Sequence, residues 1–259
     1  MQSQPRVALV TAGTGGIGRG IAEALLAGGA TVFITGRGRE KGDKVAAELS
    51  SAGLATFLTA DSNSQHDVER AVDRILESES RLDILVNNAG GSSGFAPVHE
   101  LSDTAWSQAL NLNVTSAFWA TRRVLPAMLR QGFGRIVNIS SVQGKQVNRP
   151  NASHYVTAKH ALNGFTKAVA FEYGRGGITC NAVCVGAVET DLMQSAGPKA
   201  AQAAGITYEQ FKQRYADQTM TGRLNLVSEV SAMVALLVSD AGSGITGSIL
   251  NVDGGICAY

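Results

Sequence analysis

Two side chains four residues apart carry the most suggestive chemistry in this 259-residue sequence. Tyr155 and Lys159 bound the segment YVTAK, and at helical spacing the phenol and the ammonium share one face. A cation there favours the phenolate and draws the tyrosine below its ordinary value of about 10, toward a range useful for proton transfer. The spacing alone is not specific, because Tyr208 and Lys212 repeat it. Context separates the pairs. Tyr155 lies 14 residues after Ser141 and follows the strand-like run RIVNI at 135–139, whereas Tyr208 follows no such run and reads as structural.

A second constellation suits binding. The segment Thr11-Ala12-Gly13-Thr14-Gly15-Gly16-Ile17-Gly18 contains G-x-G-x-x-G at Gly13, Gly15 and Gly18. In a chain with 30 glycines that string is weak by itself. Here it stands between a strand-like and a helical run, where glycines let the turn approach a pyrophosphate bound by the helix N-terminus. The residues after the second strand then choose the dinucleotide. An acid takes the ribose 2′-hydroxyl of NAD, and a cation the additional phosphate of NADP. The chain reads Ile34-Thr35-Gly36-Arg37-Gly38-Arg39 with no acid before Glu40, and Arg37 can pair bidentately with a phosphate. NADP(H) is favoured and NAD(H) stays open, with a solvated loop arginine as the plain alternative.

These groups need a scaffold, and the hydrophobic pattern supplies one. Short β-branched runs at 6–11, 31–35, 55–59, 83–86, 135–139, 179–185 and 249–252 read as strands. Helical periods occupy 17–27, 41–49, 68–76, 103–110, 114–129, 155–173 and 229–238. In the third helix Val68, Ala71, Val72 and Ile75 form a single apolar stripe. Strands that are short, nearly continuously apolar and separated by helices belong to a parallel sheet covered on both faces, the doubly wound arrangement. Residues 191–223, polar and rich in Ala, Gln and Gly, break the alternation and read as a mobile lid or binding loop.

Composition narrows the classes further. With Lys+Arg 22 against Asp+Glu 21 there is no basic surplus for nucleic acid or an anionic membrane. Cys180, Cys184 and Cys257 lack CxxC spacing, and His66, His99 and His160 are scattered, so neither a disulfide framework nor a metal site is expected. Cys180 and Cys184 read as inert core thiols, and His154 as a surface histidine. No secretion signal precedes the first strand, and the apolar stretch 230–238 is far short of the roughly 20 residues of a membrane span. A cytoplasmic protein is expected.

Taken in order, TAGTGGIG at 11–18, Asp61, NNAG at 87–90, Asn113 in NLNV, SS at 140–141, YVTAK at 155–159, GAVET at 186–190 and NVDGG at 251–255 resemble the short-chain dehydrogenases/reductases of about 250 residues. GRIVNISS, GKQ, GITCNAV, VET and the terminal NVDGG…Y are most similar to bacterial ketoreductases of 3-oxoacyl or polyketide intermediates. The resemblance implies a single α/β Rossmann domain over 1–259, with a seven-stranded parallel sheet and a substrate lid at about 191–223. It implies reduction of a ketone to a secondary alcohol by NADPH, the ketone being 3-oxoacyl, polyketide-like or free. Tyr155 would be the general acid, Lys159 would hold the nicotinamide ribose, Ser141 the substrate oxygen, and Asn113 a water of the proton relay. Gly13, Thr14, Gly15, Gly16, Ile17 and Gly18 would carry the cofactor. Asp61 and Ser62 would meet its adenine end, Asn88, Ala89 and Gly90 would line the cleft, and Gly186, Val188 and Thr190 would meet the nicotinamide.

Gln143, Val147, Leu192 and Met193 are the expected substrate contacts, and Trp106, Phe118 and Trp119 the expected packing face of a homotetramer in which the 155–173 helix takes part. Several positions depart from the family pattern. Ala12 replaces the first loop glycine, Val185-Gly186 replaces Pro-Gly, and the Ser141 to Tyr155 interval is one residue longer than the family's commonest spacing. Gly91-Ser92-Ser93-Gly94 follows NNAG in place of Arg and a Pro-Gly-Gly run, leaving a carrier-bound and a free ketone equally open. Two rivals stand beside this reading. One is an NAD-dependent dehydrogenase of a 3-hydroxy acid or cyclic alcohol. The other is a catalytically silent nucleotide-binding protein, against which the intact Asn113, Ser141, Tyr155 and Lys159 set argues.

Overall fold

The β-branched runs pair as seven parallel strands, β1 (Val7–Val10), β2 (Thr31–Gly36), β3 (Ala55–Thr59), β4 (Ile84–Asn87), β5 (Gly134–Ser141), β6 (Ile178–Val185) and β7 (Ile249–Val252). The computed structural model describes residues 4–257, except the side chain of Leu192, so that side chain and the terminal tyrosine lie outside the described residues. The strand order is β3-β2-β1-β4-β5-β6-β7. Successive strands run outward from β1 in one direction and then restart beside it at β4. That reversal opens a crevice at the carboxyl ends of β1 and β4, where doubly wound sheets bind ligands.

Alternate residues of each strand face opposite layers. Ala8 and Val10 of β1 join Val32 and Ile34 of β2 in one core, covered by helices α1 (Gly16–Ala27), α2 (Arg39–Leu49) and α9 (Val227–Val238). Val7, Leu9 and Phe33 face the other core, covered by α3 (Gln65–Glu79), α5 (Ser116–Gln131) and α6 (Ser153–Tyr173). The expected stripe Val68, Ala71, Val72 and Ile75 is the buried face of α3. Where β4 begins, the fully buried Asp83 accepts the Val7 amide at 2.8 Å and two Arg81 hydrogen bonds at 2.8 Å, fixing β1 against β4. Inside the sheet, Asn87 donates to Asn138 and Asn138 donates to Thr166, each at 2.8 Å. This polar ladder ties β4 and β5 to α6, seven residues beyond Lys159.

Two segments differ from the sequence expectation. Residues 191–223 hold regular helices, α7 (Asp191–Ala203) and α8 (Tyr208–Ala216), where a loop was expected. Their ends are capped: Thr190 accepts from the Met193 amide, and Thr207 with Gln210 closes a reciprocal capping box. Gly197 lets them meet, since a Cβ there would lie 2.4 Å from the Tyr208 ring. The second segment joins α4 (Asp103–Leu110) to α5 through a π-helical turn, Asn111–Thr115. Such turns occur often at functional sites, and this one carries Asn113. No described helix is long and apolar enough to cross a membrane.

Candidate active site

The turn after β1 is built for close approach. Gly15 precedes α1 without a side-chain cap, and the first turn of α1 holds no acid, so its amides face the crevice unopposed. At Gly18 a Cβ would lie 2.4 Å from the Asn88 amide nitrogen and 2.7 Å from the Ala12 carbonyl. Asn88 stitches the neighbouring turn to this loop, its Nδ2 donating to Thr11 O at 2.9 Å and Ala12 O at 3.2 Å. Thr11 Oγ1 accepts the amides of Asn88 and Ala89, both at 3.0 Å. Ala12, in the place of the family's first loop glycine, adopts φ 51° in the left-handed region. Gly13 serves packing, because a Cβ there would press on Ile34 at 2.7 Å. Thr14 lies over the end of β2, against Gly36.

Across the crevice, β5 ends at Ser141 and α6 presents Tyr155 and Lys159. The Ser141 and Tyr155 hydroxyls are hydrogen-bonded, and Ser141 Oγ also accepts the Gln143 amide at 3.2 Å. Lys159 is 3% exposed; its Nζ donates to Ile139 O at 2.9 Å and lies 5.7 Å from the Tyr155 ring centre. Burial lowers the lysine to about 8. Burial also raises the Tyr155 phenol, a rise partly opposed by the Ser141 hydrogen bond and the positive charge of Arg149. The expectation of a phenol pulled down by its lysine is therefore not met, because burial dominates. Both groups are desolvated, and the ammonium is directed at a backbone carbonyl. Asn113 completes the group: its Nδ2 donates to Gly91 O at 2.7 Å and Ala109 O at 2.8 Å, and its Oδ1 accepts the Gly91 amide at 3.0 Å. Gly90 sits between Asn113 and Lys159, where a Cβ would be 2.9 Å from the one and 3.1 Å from the other.

One cavity of about 680 Å³ joins the two sides. Gly15, Gly16, Ile17 and Gly18 form one wall, and Ser141, Tyr155 and Lys159 another. Asn88 and Gly90 floor it, and Gly186, Val188 and Thr190 close it from the β6 side. Gly186 approaches the turn after β7, where a Cβ would be 2.9 Å from Asp253 Cα, and Thr190 touches Gly16. Arg37 is exposed beyond β2, and Asp61, whose carboxylate accepts the Asn63 amide at 2.9 Å, lies with Ser62 beyond β3. These three, with Gly13, Thr14, Ala89 and Asn113, are not among the residues lining the cavity.

The expected substrate contacts scatter. Gln143 is buried and bonded to Asn148, Val147 is 69% exposed, and Met193 offers its carbonyl to Tyr208 at 3.2 Å. None of the three lines the cavity. Asp191 and Ser195, one turn apart on α7, do line it, as do Ser140 and Lys41. The reading of the sequence missed these four. Lys41 was visible in principle, as a cation in the first turn of the helix after β2, and its Nζ lies 3.5 Å from where a Gly15 Cβ would be.

Three further readings are settled by packing. His154 is fully buried where a surface histidine was expected, its Nε2 3.0 Å from Ser93 O. Tyr208 and Lys212 are structural, the lysine pairing with Glu209 at 2.9 Å. Cys180 and Cys184 are buried and their thiols raised by burial, Cys180 to about 12. Among the described residues no His, Cys, Asp and Glu cluster could hold a metal.

The family model described as short chain dehydrogenase matches residues 6–201. This chain belongs to the short-chain dehydrogenase family. Like other members of that family, the protein is an oxidoreductase. It is 40% identical over 256 residues to a putative ketoacyl reductase of Streptomyces coelicolor, covering 98% of this chain and 97% of that one. It is 37% identical over 254 residues to a D-beta-hydroxybutyrate dehydrogenase of Cupriavidus necator, covering 96% and 97%. The fold superposes on a variant actinorhodin polyketide ketoreductase solved with NADPH, with a TM-score of 0.92, 40% identity and 98% of both chains covered. These similarities support reduction of a ketone by this short-chain dehydrogenase.

Proposed function

We propose that the protein reduces a ketone to a secondary alcohol at the expense of NADPH, with Tyr155 as proton donor. The observation that carries this reading is the convergence of Ser141, Tyr155 and Lys159 on the cavity whose opposite wall is the glycine loop. A dinucleotide fits that wall. The uncapped α1 N-terminus, the space kept clear at Gly18 and the Lys41 ammonium form a cradle for phosphates. Arg37 and Lys41 hold the phosphate that distinguishes NADP, Asp61 and Ser62 meet the adenine end, and Gly186, Val188 and Thr190 meet the nicotinamide. When bound, the reduced nicotinamide supplies the hydride.

The residues of this chain do the rest. The buried Tyr155 keeps its proton at neutral pH, which is the form reduction requires. It gives that proton to the carbonyl oxygen as negative charge develops there, and Ser141 hydrogen-bonds the same oxygen. Lys159 stabilises the resulting phenolate and holds the ribose. Asn113 fixes Gly91 and with it the cavity floor beside Lys159, and a water held there returns a proton from solvent. Helix α7, whose Asp191 and Ser195 line the cavity, acts as the substrate lid. The chain forms one domain over 1–259 that works in the cytoplasm as a homotetramer, assembled through the α5 and α6 face that bears the half-exposed Phe118.

A second reading is NAD-dependent oxidation of a 3-hydroxy acid, favoured by the likeness to a D-beta-hydroxybutyrate dehydrogenase. A panel of 3-oxo esters, bicyclic ketones and diketones, each assayed with NADPH and with NADH, separates the two. Turnover preferring NADPH supports the first reading, and turnover confined to NADH overturns it.

A further inference from the structure

Three buried side chains on one face of α6 hold the end of β5. Lys159, Asn163 and Thr166 follow one another at spacings of four and three, so they stand in line along the helix. Thr166 Oγ1 accepts from Asn138 Nδ2 at 2.8 Å, and Lys159 Nζ donates to Ile139 O at 2.9 Å. Asn163 reaches past the strand, its Nδ2 donating to Gly144 O at 2.8 Å. That carbonyl can only accept, so the amide nitrogen faces it, and the Cys184 thiol takes the other side, 4.0 Å from Asn163 Oδ1. Ser141 therefore lies between two backbone carbonyls that α6 grips, Ile139 before it and Gly144 after it.

The second grip acts on the turn that orients the serine. Ser141 caps the 3₁₀ turn Val142–Gly144, its Oγ accepting the Gln143 amide at 3.2 Å while its hydroxyl is bonded to that of Tyr155. Gly144 is where this turn meets the helix. A Cβ there would lie 2.8 Å from Asn163 Nδ2, 2.8 Å from Ser140 Oγ and 2.9 Å from Lys159 O, so any side chain displaces the turn. Asn163 is not among the residues lining the cavity and acts only through what it holds. Lys159 must share its ammonium with a ribose, whereas Asn163 has no second duty.

Resting on the reading of Ser141 as the group that hydrogen-bonds the ketone oxygen, we propose that Asn163 is the positioning residue for that hydroxyl. By fixing the Gly144 carbonyl against α6, it holds the turn whose Gln143 amide aims Ser141 at the oxygen it shares with Tyr155. Gly144 is the other half of the clamp. Placement matters here because a shift of about 1 Å at a reacting group can cost about 100-fold in rate.

Two substitutions in the full-length protein test the clamp. Asn163→Leu keeps the branching of the side chain and removes the donor, and Gly144→Ala opens the same contact from the other side. Hydrogen exchange reads the clamp without any substrate. The amides of Lys145 and Gln146, both bonded to Val142 O at 3.0 Å, and that of Gln143 should exchange about fivefold faster or more in either variant, the scale of one lost hydrogen bond. The interior amides of α6 keep their protection. Unchanged exchange overturns the clamp. With NADPH and the ketone turned over fastest, Asn163→Leu lowers kcat by about 10–100-fold and leaves NADPH binding, followed by fluorescence, little changed. The same substitution is then made in Ser141→Ala, where it costs less than about threefold because the hydroxyl it positions is gone. An equal loss in both backgrounds overturns the proposal, as does full turnover in Asn163→Leu. Loss of NADPH binding in both variants overturns it too, since the residue then holds the fold and not the hydroxyl. Full turnover in Ser141→Ala, or no ketone reduced by the wild type, overturns the reading of the site beneath it, and the exchange comparison still decides the clamp.

Discussion

Ala12 and Gly16 share one backbone angle but differ in side chain, and that pair isolates the strain in the dinucleotide loop. Both stand at φ 51°. An L-residue in the left-handed region is destabilised by about 1–2 kcal/mol, and glycine is not. Ala12 is exposed, so its methyl contributes little burial, and its amide bond to Thr35 Oγ1 at 3.1 Å is a backbone bond that glycine retains. Against the relief stands the greater freedom of glycine in the unfolded chain, about 0.4–1 kcal/mol. Ala12→Gly is therefore expected to stabilise the protein by roughly 0.5–1 kcal/mol. In a chain of this size that raises Tm by about 1–4 °C. Gly16→Ala should do the opposite. A Cβ there meets only Thr190 at 3.5 Å, ordinary contact, so the loss reports strain alone, about 1–2 kcal/mol before the unfolded-state gain is subtracted. Thermal unfolding and urea titration of the cofactor-free protein measure both. An unchanged or lowered Tm in Ala12→Gly, or an unaffected Gly16→Ala, refutes the strain argument.

Two further outcomes follow from buried charge. Lys159 falls from its ordinary 10.5 to about 8 in the fold, so between those values the unfolded chain binds the proton and the folded chain does not. Stability therefore rises with pH from about 8 to 10.5, by up to roughly 3 kcal/mol from this group, and urea midpoints for Lys159→Met should lack that rise; an equal rise in the variant contradicts the assignment. Asp83→Ala leaves the Val7 amide without its buried acceptor and removes the partner of the part-exposed Arg81, and should lower unfolding stability by about 1–3 kcal/mol, the scale of a buried group left unsatisfied, whereas a loss below about 0.5 kcal/mol refutes its anchoring role.

The sheet was legible because each strand is a short apolar run bounded by a helical period. The strand reading at 55–59 and the stripe at Val68 to Ile75 both persist in the fold. The catalytic pair was legible because a helix sets its own geometry over four residues. Residues 191–223 were misread because α7 includes Gly197 and Pro198, which look like breakers, while the caps at Thr190 and Thr207 act locally and the Gly197 to Tyr208 contact is tertiary. His154 looked exposed because its partners, Ser93 and Phe95, lie about sixty positions earlier and no local pattern marks them. The rise of the Tyr155 phenol was hidden for the same reason. Sequence spacing gives the distance to a lysine but not the depth of burial, and here burial outweighs the opposing Ser141 hydrogen bond and Arg149 charge.

The central claim is that Tyr155 delivers the proton that accompanies hydride transfer to a ketone. Single-turnover oxidation of NADPH by wild type and by Tyr155→Phe, each first shown to bind NADPH, tests it most directly. The account predicts that Tyr155→Phe binds NADPH with little change and loses turnover by about 100-fold or more, the scale of general acid catalysis. Near-normal turnover in Tyr155→Phe would contradict it.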